Sequence, residues 1–121
     1  MVDHTTPIHI DIKQVSEELK IRPEIYLKIA TSFVNSLTGK LNILSDAVSA
    51  NDRDQMRMTL HEIKGTSGNL RLKNLIEAEG VMHTAVHDNQ SQARLSQCFE
   101  DLRIESERLQ QYMYALNQKG V

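Results

Sequence analysis

The stretch Met56-Arg57-Met58-Thr59-Leu60-His61-Glu62-Ile63-Lys64-Gly65-Thr66-Ser67-Gly68-Asn69-Leu70 carries two interleaved patterns. Met56, Leu60, Ile63, Ser67 and Leu70 recur at steps of four, three, four and three, the spacing of a helical seam packed against other helices. His61, Lys64, Gly65 and Gly68 recur at three, four and seven and share a second face. At roughly 100° of rotation per residue, His61 and Gly68 point away from the seam, so the imidazole is expected at the surface. Each glycine within a helix costs on the order of 1 kcal/mol relative to alanine, so keeping Gly65 and Gly68 beside a histidine implies a need for bare backbone there. Such a patch lets another protein come close to the ring, while Lys64 offers an ammonium to any negative group the ring carries. Neutral imidazole titrates near pH 6.5 and has a free nitrogen lone pair without a dedicated base. The pattern reads as a site for a phosphorylated histidine.

Upstream, Asn51 and Asp52 close one helix and start the next, with Asp52 and Gln55 spaced as a capping box. Pro23 suits the first turn of a helix and opens a long segment striped by Tyr26, Ala30, Phe33, Leu37, Leu41, Leu44 and Val48. Thr38 and Gly39 mark a weak point where that helix is expected to kink. A short amphipathic helix is expected from about Ile8 to Lys20 on Ile8, Ile12, Val15 and Leu19, preceded by a loose tail over 1–7. Downstream, Arg71-Leu72-Lys73-Asn74 leads into a helix with Leu75, Ala78, Met82 and Val86 inward. Asp88-Asn89-Gln90-Ser91 forms a turn, and Leu95, Phe99, Leu102, Leu109, Met113 and Leu116 follow near heptad spacing. No stretch alternates with period two. The connections are short, which makes sequential helices antiparallel neighbours. The expected fold is all-α: an antiparallel up-down four-helix bundle, one domain over 8–121, with the short N-terminal helix as a lid.

Composition narrows the functional classes. A net charge of -2 over 121 residues gives no general reason to expect a nucleic-acid partner, and Trp is absent from the stacking platforms that single strands require. No apolar run approaches the roughly 20 residues of a membrane span, and the N-terminus lacks a signal peptide's apolar stretch; a cytoplasmic protein is expected. Met1 favours a freestanding chain over a piece of a larger kinase. The single Cys98 rules out an internal disulfide and falls among apolar positions, so it reads as a buried, inert thiol.

The run from Leu60 to Leu70 resembles the core motif of histidine phosphotransfer (HPt) domains, in which lysine follows the histidine at the third position and glycine at the fourth and seventh. Pro23, Glu24, Phe33, the Ala50-Asn51-Asp52 turn and Leu75 are also spaced as in that family, so the resemblance extends over roughly Ile21 to Asn117. It implies a phosphorelay intermediate that takes a phosphoryl group from a receiver aspartate and passes it to another. His61 would be the phosphoacceptor, Lys64 the residue that steadies the phosphoryl charge, and Gly65 and Gly68 the clearance for the receiver. The implied partners are response-regulator receiver domains and a hybrid sensor histidine kinase, meeting a monomer. No cofactor is expected on this chain, since the receiver would supply Mg²⁺, and no ATP-dependent kinase activity is expected, since no Walker-type loop is present. Two positions depart from the family: Leu60 stands where alanine is frequent, and Arg71 where glycine is. Arg71 reads as a residue of a solvated turn or as added positive charge at the helix end.

Other constellations carry less. His83 and His87 are four apart, as two metal ligands on one helix would be, but nothing in sequence completes a set, so no metal site is expected. His4 and His9 belong to or adjoin the tail. A di-iron bundle needs Glu-x-x-His motifs that are missing. Glu100, Asp101, Glu105 and Glu107 read as the wet face of the last helix. The cluster Arg53, Arg57, Lys64, Arg71 and Lys73 is a solvated face or a docking surface for an acidic pocket. Arg57 fits both descriptions, and Met58 fits the apolar part of the second. A helix-turn-helix reader is disfavoured by the net negative charge. The alternative to a phosphocarrier is a helical adaptor that binds a partner without phosphotransfer.

Overall fold

Five helices succeed one another in the computed structural model, which describes residues 2–119. The expected ends at Met1 and Val121 lie outside the described residues. The helices are α1 (Ile12–Leu19), α2 (Pro23–Ser49), α3 (Arg53–Asn69), α4 (Lys73–His87) and α5 (Gln92–Lys119). Helices α2 to α5 pack in a ring, each against its neighbour in sequence and α5 back against α2. Helix α1 packs on α2, and Glu18 Oε1 lies 3.6 Å from Arg71 Nε in the α3–α4 turn, so α1 is a lid over that end. No described helix is long and apolar enough to cross a membrane.

The ring closes because each helix buries one stripe. Tyr26, Leu37 and Leu44 of α2 meet Met56, Leu60 and Ile63 of α3, Leu75 and Met82 of α4, and Leu95, Leu102 and Leu109 of α5, all with under 2% of their surface exposed. Burying one such side chain stabilises the fold by roughly 1.5–3 kcal/mol before entropy is counted. The Tyr26 hydroxyl donates to the Leu70 carbonyl at 2.6 Å, tying α2 to the end of α3. Burial pushes its pKa up to about 12, so it stays a donor. Cys98 is buried as expected, and desolvation raises its thiol.

Helices α1 to α4 all end in the same way. Lys20, Asn51, Arg71 and Asn89 take left-handed backbone, φ 59°, 53°, 59° and 52°. After α3, Arg71 N bonds Gly68 O at 3.2 Å and Leu72 N bonds Ser67 O at 2.9 Å, the paired closure that satisfies orphan carbonyls at a helix end. Arg71 therefore occupies a backbone state that favours glycine. Its guanidinium donates to Asn69 O at 2.7 Å and leans towards Glu18. It caps a helix and joins the lid, a more specific role than solvated charge.

Four other expectations change. Helix α2 runs unbroken through Thr38 and Gly39. The capping box is half formed: Asp52 accepts from Gln55 N at 3.1 Å, but the Gln55 side chain turns to Thr59 Oγ1 and Asp52 N bonds Ala47 O. Helix α1 begins at Ile12, because Asp11 caps it by accepting from Gln14 N at 3.0 Å. Above all, residues 2–7 are not a loose tail, and of the acidic face of α5 Glu107 is exposed and Glu100 partly so while Asp101 and Glu105 are buried. Val2 is 6% exposed, and His4 spans two buried carboxylates, Nδ1 to Glu105 Oε2 at 2.6 Å and Nε2 to Asp101 Oδ1 at 2.9 Å. Arg108 holds both Glu105 and the Thr6 carbonyl, and Ile10 N donates to the Tyr112 hydroxyl at 2.9 Å. The helical period of α5 marked a polar face correctly; a segment a hundred residues away in sequence covers part of it.

With both ring nitrogens within hydrogen-bond distance of carboxylates, His4 is placed to donate twice as an imidazolium. The bond to Glu105, then that to Asp101, raise its pKa above the ordinary 6.5. A raised histidine contributes stability that is whole below its unfolded value and is lost as pH climbs through the folded one. Urea unfolding of His4→Ala should show a deficit of about 1–2 kcal/mol near pH 6 that shrinks in alkaline buffer. A deficit independent of pH would mean the ring is not charged.

Candidate functional site

The α3 seam places everything on its opposite side. Met56, Leu60 and Ile63 are 0% exposed and Leu70 5%, with Thr59 and Ser67 buried beside them. His61, Lys64 and Gly65 are thereby exposed, and Gly68 is half-buried. His61 stands mid-helix, roughly 12 Å from either end at 1.5 Å per residue, so a continuous hydrogen-bonded helix fixes the ring's base.

No neighbour in the fold needs the two glycines. A Cβ added at Gly65 or Gly68 meets nothing within 4 Å. Neither glycine has a positive φ, since both lie within regular helix. Their effect is on the outside: a strip of bare backbone beside His61.

The adjoining charges are largely taken. Lys40, reaching from α2, pairs with Glu62 at 3.1 Å. Arg57, one turn before His61, is drawn back to Asp54 at 2.6 Å. Arg53 donates to Gln90 O at 2.8 Å and joins the start of α3 to the α4–α5 turn, and Arg71 caps the helix. Three of the five cations of the expected basic cluster, Arg53, Arg57 and Arg71, are thus engaged within the fold. Among the described residues Lys64 is the α3 cation that shares the His61 face and makes no hydrogen bond or ion pair. Met58 is 58% exposed on the same helix, and Ile43 of α2 is 50% exposed.

Other candidates fall away. His83 Nδ1 lies 3.4 Å from Glu79 Oε1 and His87 Nδ1 lies 3.2 Å from Asp88 Oδ1, so the two histidines turn to different acids. No group of three or more possible metal ligands occurs among the described residues. Lys40 escaped the sequence reading, and Glu79, noted only as a neighbour of His83 one turn on, was not read as buried. Lys40 had no signal, since its proximity to Glu62 arises only when α2 folds on α3. Glu79 did have one: it stands four after Leu75 and three before Met82, within the apolar stripe of α4, and it is 1% exposed.

Comparison with known families finds a match over most of the chain. The family described as Hpt domain matches residues 28–118, from the first turns of α2 to the last turn of α5, with His61 to Gly68 inside. Curated proteins and solved structures yield no match. The matched region excludes α1 and the N-terminal segment.

Because the added Cβ atoms meet open space, Gly65→Ala and Gly68→Ala should each raise stability by about 1 kcal/mol in urea unfolding. A loss of stability at either position would show that the glycine serves the fold.

Proposed function

The chain belongs to the Hpt domain family, and from that premise we propose that His61 is the phosphoacceptor of a histidine phosphotransfer protein, loaded from a phospho-aspartate of one receiver domain and discharged to another. The observation that carries this reading is an exposed mid-helix imidazole, with an unpaired ammonium one turn on and two glycines that the fold does not require.

The chemistry follows from those groups. The unprotonated nitrogen of neutral imidazole gives its lone pair to the phosphorus of the aspartyl phosphate. A P–N bond forms as the P–O bond to the aspartyl group breaks, and the aspartate leaves as a carboxylate. The other ring nitrogen retains its proton, which passes to solvent if the phosphorylated ring later deprotonates. The same steps reversed discharge the group. Such transfer depends mainly on positioning and on stabilising charge, so a nucleophile on a rigid helix suffices on this side. Lys64 balances the phosphoryl charge, while Gly65 and Gly68 let the receiver's loops approach. Met58 and Arg57 lie within reach of the docked receiver, which would bring Mg²⁺. A hybrid sensor kinase and response regulators are the partner classes, and the chain acts as a carrier with no ATP-dependent step of its own.

Incubation with a phosphorylated receiver should give acid-labile, base-stable label on the wild type and none on His61→Gln. Label persisting in that variant would remove the site assignment; a wild type that binds the receiver but takes no label would be an adaptor. Gly68→Gln should fold and transfer roughly tenfold more slowly through lost approach. Lys64→Ala should slow transfer by a similar factor, about 1.4 kcal/mol. Unchanged rates would reduce both to surface residues.

A further inference from the structure

Glu79 is placed where an ionised carboxylate is costly. It is 1% exposed on the inner side of α4, and its Oε1 has no hydrogen-bond partner among the described residues. His83 Nδ1, one turn on at 3.4 Å, is likewise without a hydrogen bond. A buried polar group left unpaired costs about 1–3 kcal/mol, and more if charged, so a glutamate kept there needs a reason.

The α3–α4 hairpin supplies one. The chain reverses at Arg71, and counting outward along the two antiparallel helices brings Lys64 and Glu79 to matching depths, roughly 9–12 Å from the turn. Lys64 of α3 is the charged group that acts on Glu79, drawing it towards ionisation, while burial acts more strongly and lifts its pKa to about 7. On its own helix His83 faces it. On α5, Asp101 and Glu105 are engaged by His4 and Arg108, and neither contributes to the shift. The exposed ammonium beside His61 and a buried carboxyl, whose one near neighbour is His83 at 3.4 Å, thus stand at one level of the packed α3–α4 pair.

We propose that Glu79 is a positioning residue of the phosphoryl site, a buried carboxyl coupled through Lys64 to the charge on His61, so that loading of the ring and protonation of Glu79 favour each other; this rests on His61 being the phosphoacceptor. An ionised Glu79 opposes the ammonium's field at the ring, and a neutral one leaves that field to the phosphoryl group. Conversely, a phosphoryl group of charge about -1.5 to -2 offsets the ammonium that favours ionised Glu79, so the carboxyl binds its proton more tightly. Such coupling is reciprocal. The loaded form holds more protons across the Glu79 titration range, so loading is favoured as pH falls through that range and disfavoured as pH rises.

The full chain permits a test without a partner protein, using phosphoramidate as the phosphodonor and carboxyl-carbon NMR to follow Glu79. In unloaded protein, Lys64→Met should raise the Glu79 midpoint by roughly half a pH unit. Loading of the wild type should raise it likewise, and the wild-type loading rate relative to Glu79→Gln should fall several-fold between about pH 6 and 8. A midpoint indifferent both to Lys64→Met and to loading overturns the coupling while leaving the phosphohistidine in place. A wild type that phosphoramidate fails to label at His61 overturns both readings. Should Glu79→Gln fail to fold, the exposed Lys64→Met variant still decides the coupling.

Discussion

The structure depends on the division of α3 into two faces. Leu60 and Ile63 are wholly buried on either side of His61 in sequence, and rotation by roughly 100° per residue leaves the ring no inward course. Turning His61 inside would expose that seam, at roughly 1.5–3 kcal/mol for each large side chain. The bundle thus presents the imidazole as a consequence of its own packing, and no dedicated contact to the ring is required. Hydrophobic burial here acts as positional control of a polar group: the ring's base is rigid, while its nitrogens are left to whatever approaches.

The glycines show the converse relation between stability and use. Gly65 and Gly68 stand where an alanine meets nothing within the fold, so their conformational cost has no internal return. Left-handed backbone at Lys20 and Arg71, by contrast, is made with side chains that disfavour it. Glycine is absent where the backbone would welcome it and present where the helix would not. Geometry required by folding can be enforced on lysine or arginine by hydrogen bonds and packing, whereas the helical glycines, Gly39 and Gly80 among them, are not required by any neighbour within the fold.

Legibility in sequence followed the range of the interactions. The α3 seam, the Pro23 start of α2, the inner face of α4 and the all-helical bundle could be read because each rests on residues three or four apart. Exposure of His61, Lys64, Gly65 and Met58 followed from the same period. The N-terminal segment could not be read: His4 meets Asp101 and Glu105 across about a hundred residues, and an acidic helical face looks the same bare or covered. Arg71 was ambiguous because one residue type suits both a solvated turn and a cap, and only the backbone angle separates them. Lys40 reaches Glu62 through the packing of α2 on α3, another contact that no local period records.

The buried acids of this bundle show how partners decide what a carboxylate does. Glu105 has His4, Arg108 and Asn74 about it, and Asp101 has His4 and Gln97. Bonded in this way, each is committed to fixing the N-terminal segment. Glu79 is as deeply buried as Glu105 but lacks such donors, and burial raises its pKa to about 7. A satisfied buried carboxylate is a strut, because its donors hold it in place. An unsatisfied one answers to small changes in the surrounding field, since neither of its protonation states is strongly held. Of these acids, the one without such hydrogen bonds stands on α4 at the level of Lys64 on the neighbouring α3, within reach of its charge.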